Sequence, residues 1–348
     1  MGSALHPGAY QGRACPAMQR TLRSAGDLAE AGLIARDAVP AIDAVARRYS
    51  ISVTPLAGRL IREHGAPLAR QYLPEPEELV TAPHELDDPT ADAPFTPIKG
   101  VVHRYPDRAL LKPLLACPVY CRFCFRREAV GPDGGLLSEA ELDAALDWFE
   151  RTPQVREAIL TGGDPLMLSP RRLERLLARL AAIPHLETLR IHSRVPVADP
   201  GRIDAAMLRA LTLERPLYLC VHANHAAEFS AESEAALRTL HGAGVVLLGQ
   251  SVLLRGVNDS ESALEDLFRA MLRHRVKPYY LHQLDPAPGT ARFHVPVEEG
   301  LALLRGLRGR VTGLAWPAYV QERPAGGGKF PLGMAAIAPG AGQAPQDR

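Results

Sequence analysis

The stretch Ala109-Leu110-Leu111-Lys112-Pro113-Leu114-Leu115-Ala116-Cys117-Pro118-Val119-Tyr120-Cys121-Arg122-Phe123-Cys124 joins an apolar run of strand length to three cysteines within eight residues. A strand ending in a thiol-rich loop puts soft ligands at the carboxyl edge of a sheet. The chain has five cysteines in all. An odd count and the absence of a secretory pattern argue against a disulfide framework. Cys15 and Cys220 stand alone and read as a spare thiol and a small buried apolar residue. The group at 117–124 therefore asks for a chemical reason.

Outward from this stretch, short β-forming runs alternate with amphipathic helices. After Ala109–Ala116 the expected strands are Glu157–Leu160, Thr188–Ile191, Leu217–Val221, Val245–Val252 and Pro278–His282. Ser138 with Glu141 forms a capping box, and Ser169-Pro170 sets an N-cap before a first-turn proline. Helices over 232–241 and 261–273 fill the later gaps. Six strand–helix units of this length favour a parallel sheet in an α/β fold, an open or partial (β/α)6 barrel, with a doubly wound sheet as the alternative. Polar residues follow the strands: the cysteines, then Thr161-Gly162-Gly163-Asp164, then Ser193 and Arg194, then His222, Asn224 and His225, and finally Asp285. In a barrel these would converge on one site at the carboxyl ends of the strands. Residues 1–95 are expected to be an N-terminal helical region and linker: Ala25–Val45 and Leu56–Tyr72 carry helical spacing, and Pro74–Pro97 reads as a surface connection. The barrel unit is expected over 96–335, with 336–348 a disordered tail.

Bulk properties exclude several classes. Forty basic and thirty-nine acidic residues leave no polyanion-binding excess, so no nucleic-acid partner is expected. No apolar run is long enough to span a bilayer, and Met1–Ser24 lacks a signal-peptide core, so a cytoplasmic protein is expected.

Cys117-x3-Cys121-x2-Cys124 supplies three thiolates from one loop, and no obvious fourth ligand completes a zinc site. A four-iron cluster held by three thiolates keeps one iron open to an outside ligand, such as the amine and carboxylate of S-adenosylmethionine. Arg122, Arg126 and Arg127 are expected to offset the anionic charge. This spacing, with Phe123 before the third cysteine, resembles the radical S-adenosylmethionine superfamily. The resemblance implies a partial barrel, a [4Fe–4S] cluster on Cys117, Cys121 and Cys124, and a 5′-deoxyadenosyl radical. Gly162, Gly163 and Asp164 look like the segment that binds the methionyl amino group, and Ser193 and Arg194 fall with the cofactor contacts.

A second signal lies at Pro324-Ala325-Gly326-Gly327-Gly328-Lys329-Phe330-Pro331. Glycines before a lysine allow close approach to a bulky ligand, with Lys329 able to bond an aldehyde cofactor. The bland alternative is a flexible tail. Together with His103–Arg108, Ser193–Pro196, Gln250–Asp259 and Tyr279–Asp285, these features resemble the lysine 2,3-aminomutase family, over about Tyr49 to Leu332. That resemblance implies a 1,2-shift of an amino group, with pyridoxal 5′-phosphate on Lys329. Arg104 and Arg108 would contact its phosphate, and Gln250 and the His222–His225 segment would line the pocket. Arg126 would hold the substrate α-carboxylate, and Asp285 with Glu322 its distal ammonium. An electron donor such as flavodoxin or ferredoxin is implied, and a homo-oligomer is compatible with the family.

Two departures bear on substrate and pathway. Glu322 stands where the long lysine enzymes have Asp, so lysine is expected first and arginine or another basic amino acid second. No cysteine follows Cys220, so the cysteine-bearing C-terminal assembly of the long enzymes is expected to be absent. This resembles the short members that make β-lysine for elongation factor P, whereas the triple glycine resembles the long ones. Competing readings are a radical S-adenosylmethionine enzyme of another reaction type without pyridoxal phosphate, and a non-catalytic metal-binding protein.

Overall fold

The computed structural model describes residues 19–131, 135–323 and 328–333. Cys15, Gly326, Gly327 and the expected tail at 336–348 lie outside them.

Nine strands form one sheet whose spatial order follows the chain. They are β1 (Val101–Tyr105), β2 (Arg108–Leu114), β3 (Glu157–Gly162), β4 (Thr188–Ser193), β5 (Leu217–His222), β6 (Val246–Val252), β7 (Lys277–His282), β8 (Ala318–Arg323) and β9 (Gly328–Pro331). Neighbours from β2 to β8 pair in parallel. The edge strands β1 and β9 run antiparallel to β2 and β8. A doubly wound sheet needs a reversal of strand order, and this order has none. Crossovers between successive parallel strands instead curl the sheet into a barrel left open between its edges, which the usual right-handed connection favours. The six expected strands are β2 to β7. The other three were not expected: β1 and β9 are short, and all three carry polar residues that line the cavity.

The crossover helices follow their sequence signals. Glu139–Glu150 starts in a reciprocal capping box, with Glu141 N donating to Ser138 Oγ and Ser138 N to Glu141 Oε2. Pro170–Ala182 buries Leu173, Leu176, Leu177 and Leu180 against the sheet. Truncating one such leucine to alanine costs about 2–5 kcal/mol.

The N-terminal helices are shorter than their periodicity predicts: Ala25–Glu30, Val39–Ala46, Pro55–His64 and Ala66–Tyr72. Gly65, at φ +69°, splits the last pair. Their core, with Leu28, Ile42, Leu60 and Leu68, packs onto Val119 of the cysteine loop and Ala198.

Residues 74–97 are mostly exposed, as a surface connection should be, yet two acids anchor them inside. Glu78 is fully buried, and Glu85 accepts three backbone N–H groups from Gly289, Thr290 and Ala291. This acidic strap ties the cysteine loop to the segment after β7.

Candidate active site

A cavity of about 890 Å³ occupies the barrel interior and its carboxyl mouth. Cys117, Cys121 and Cys124 all line it. Burial pushes the three thiols up, Cys121 to about 11 even beside a guanidinium. They stay protonated until a metal takes the sulfurs. That guanidinium belongs to Arg194, whose Nη1 donates to Cys121 Sγ at 3.1 Å. Its other nitrogens bond Gln71, Glu228 and Tyr72.

Of the three loop arginines, only Arg126 lines the cavity. Arg122 and Arg127 both clasp the buried Glu78 carboxylate, with Arg292 joining them. Of the three expected to offset anionic charge, Arg126 and Arg127 act on Cys124, while Arg122 and Arg127 also build the loop through Glu78.

The glycine segment is shaped by the same loop. Gly163 N donates to Leu114 O, and Asp164 N to Ala116 O, both at 2.8 Å. A Cβ on Gly163 would lie 2.3 Å from Ala116 O, and Gly162 has φ +105°. The glycines therefore let two backbones touch. Asp164 lines the cavity but is heavily bonded, accepting from Ser193 Oγ, Arg194 N, Val195 N and Leu166 N. It fixes the turn after β4 that aims Arg194 at Cys121.

On the opposite wall, β8 and β9 set Glu322 against Lys329 in register, with Lys329 Nζ 3.1 Å from Glu322 Oε2. Tyr105 Oη accepts from Lys329 N at 2.6 Å. Gly328, at φ +62°, leaves room for that ring. Glu322 also pairs with Arg104. Arg108 pairs with Asp107 and stacks on Tyr105 at 3.7 Å.

Asp92, which its sequence context did not single out, holds Arg126 at 2.9 Å, Arg104 at 3.4 Å and Lys112 at 3.5 Å. Although burial opposes it, Arg126 and then Lys112 hold its carboxyl down at about 2. Asp285 lines the same cavity with no side-chain hydrogen bond to its carboxylate among the described residues. Burial, then the nearby Glu322 charge, push it up to about 7.

The histidines divide. His222 lines the cavity beside Gln250, its partner in register. Asn224 instead bonds Gln71 and Val252 N, and His225 turns outward, its Nδ1 accepting from Ala227 N. Only His222 of that segment faces the cavity. His192 and His282, which sequence reasoning passed over, face it too.

Comparison with known proteins fixes what this cavity belongs to. The Radical SAM superfamily profile matches residues 111–268. The L-lysine 2,3-aminomutase of Clostridium subterminale is 40% identical over 81% of this chain and 68% of its own. The chain belongs to the lysine 2,3-aminomutase family. That of Fusobacterium nucleatum is 38% identical over 81% of this chain and 67% of its own. A glutamate 2,3-aminomutase of Clostridioides difficile is 35% identical over 76% and 63%.

As a radical S-adenosylmethionine aminomutase, the protein uses a [4Fe–4S] cluster, S-adenosylmethionine and pyridoxal phosphate. The residues fit all three. Three thiols from one loop line the cavity together, a soft donor set that suits an iron–sulfur cluster with one iron left open. Arg194 supplies a cation at the cluster edge. The Lys329 amine faces the cavity, and buried imidazoles there have unpartnered Nε2 atoms. The doubly wound, non-catalytic and zinc readings fall with these findings.

Proposed function

We propose that this aminomutase acts on L-lysine and yields β-lysine. The observation that carries the reading is Asp285: a half-buried carboxyl, without a hydrogen-bonded partner among the described residues, in the cavity that Lys329 and Arg126 share. Such a group is costly to ionise alone, and an incoming ammonium supplies its missing counter-charge. A glutamate side chain would bring a second carboxylate to the same place.

When bound, the cofactors supply a hydrogen-abstracting radical and the conjugated carbon that carries the migrating nitrogen. The protein's own residues position and shield. Arg126, pre-set by Asp92, takes the substrate α-carboxylate, and Asp285 its distal ammonium, which fixes the β-carbon between two anchors. Glu322, paired with Lys329 and Arg104 before substrate binds, joins Asp285 at the distal ammonium once the Lys329 amine is displaced. Cys117, Cys121 and Cys124 hold the cluster, with Arg194 balancing its charge and Asp164 and Ser193 bracing Arg194. Gly162 and Gly163 shape the adjoining wall, and Gln250 and His222 close the pocket near the cofactors. Arg104 and Arg108 are the cations offered to the phosphate, each already held by a neighbouring acid.

We assign the reducing electron to a flavodoxin or ferredoxin, and the protein to the cytoplasm. No helix among the described residues is long and apolar enough to cross a membrane. Arginine is the second substrate reading, since a guanidinium also suits Asp285. Anaerobic turnover of L-lysine, L-arginine and L-glutamate in parallel, read by chromatography of the β-amino acids, tests the choice. Lysine is expected to exceed arginine at least about tenfold, a difference of about 1.4 kcal/mol, with no product from glutamate. Turnover of glutamate, or failure of lysine, overturns it.

A further inference from the structure

Three imidazoles face the barrel interior: His192 on β4, His222 on β5 and His282 on β7. The His192 and His222 rings lie 5.6 Å apart, and His282 lies 5.4 Å from the Tyr280 ring. Each has a buried Nε2 without any hydrogen-bond partner. Buried polar atoms are normally satisfied, and an orphan calls for an explanation. Barrel interiors are usually filled by branched apolar residues, and Leu248 and Val252 take such positions on β6. Packing alone therefore gives no reason for imidazole here.

The three differ in what surrounds them. His282 on β7 pairs in register with Val320 on β8, two residues before Glu322, which faces Lys329. His192 lines the same cavity, and the Lys329 charge acts on both, whereas Arg194 and Arg126 act on His222. The first two thus belong to the lysine side of the cavity. The arginines expected to meet a phosphate there are already engaged: Arg104 by Glu322 and Asp92, Arg108 by Asp107 and the Tyr105 ring. Cations are also crowded, with Arg104, Arg126 and Lys112 gathered round Asp92. A further donor for an anionic ligand is best uncharged. Burial keeps both imidazoles neutral, so each can offer an N–H without adding positive charge.

We propose that His192 and His282 are pyridoxal phosphate-binding residues, their Nε2 atoms donating to anionic oxygens of the cofactor on Lys329. The assignment rests on Lys329 carrying that cofactor. The two residues come from β4 and β7, so they would grip the ligand from two walls of the barrel. Among the described residues no hydrogen bond or ring contact joins either to the cysteine loop, so the cluster should be indifferent to their loss.

The test uses the full chain with its cluster reconstituted anaerobically. Pyridoxal phosphate is titrated in, its visible absorbance followed, and the adduct trapped by borohydride for peptide mass spectrometry. His192→Leu and His282→Leu are each expected to weaken uptake roughly tenfold, the loss of one hydrogen bond, with iron–sulfur absorbance unchanged. His192→Gln and His282→Gln keep a donor near the Nε2 position and are expected to recover most of the affinity. Leu variants that bind pyridoxal phosphate as the parent does overturn the proposal. So do Gln variants as weak as the Leu ones, which would make the role one of packing, and so does loss of S-adenosylmethionine binding with pyridoxal phosphate uptake intact. A parent chain that takes up no cofactor at Lys329 removes the underlying reading as well, an outcome visible before any variant is compared.

Discussion

Replacing Asp285 with Asn separates what this carboxyl costs the fold from what it gives the substrate. Burial and Glu322 raise it to about 7 from an ordinary 3.8. Between those values the folded protein keeps a proton that the unfolded chain has released, so stability falls as pH rises through the window. About three pKa units at 1.36 kcal/mol each set an upper limit of about 4 kcal/mol. Roughly half of that, about 2 kcal/mol, accrues between pH 5.5 and 8. Asn has nearly the same shape and no charge at any pH. The variant should therefore outlast its parent at pH 8 by several degrees in melting temperature, and by clearly less at pH 5.5. L-Lysine should reverse the order, because its ammonium pairs with the ionised acid in the parent alone. Breaking a buried pair costs about 3–5 kcal/mol, so kcat/KM for lysine should drop by two to three orders of magnitude. Thermal melts of the cluster-loaded proteins at both pH values, with and without L-lysine, read out the effect. The reasoning is refuted if the two melts run parallel across pH, or if lysine stabilises both proteins equally.

Other perturbations have equally definite outcomes. Asp92→Asn leaves Arg104, Lys112 and Arg126 without their shared anion; KM for lysine should rise about tenfold with kcat little changed, and Asp92→Glu should restore part of it. Gly163→Ala drives a methyl into Ala116 O. It should cost about 1–3 kcal/mol and lower iron content, whereas Gly201→Ala, with nothing within 4 Å, should do neither. Lys329→Ala should abolish borohydride-trapped pyridoxal phosphate while leaving iron–sulfur absorbance intact; loss of both would mean misfolding.

Local patterns made much of this legible in the sequence. β2 to β7 are apolar runs between capped helices, and the cysteine spacing needs no tertiary knowledge. The strands that escaped notice, β1, β8 and β9, carry Arg104, Glu322 and Lys329, side chains chosen for the cavity and not for strand propensity. Glu78 and Asp92 escaped for another reason. Each sits in a proline-rich stretch with no periodicity, and their partners Arg122, Arg127 and Arg126 lie 34 to 49 residues away. Conversely, Arg122 and Arg127 looked like site residues because they neighbour the cysteines in sequence; contact with Glu78 turns them inward. His192 and His282 lie within strands, where alternation assigns a face but not a purpose.

The central claim is that this chain moves nitrogen within one amino acid. The most direct measurement is anaerobic turnover of L-lysine labelled at the α-nitrogen, with reconstituted cluster, S-adenosylmethionine, pyridoxal phosphate and dithionite. Fragment masses then place the label in the product. The account predicts β-lysine with the label on its β-nitrogen and none exchanged with added ammonia. Labelled lysine recovered unchanged, or a β-amino acid whose nitrogen comes from solution, would contradict it.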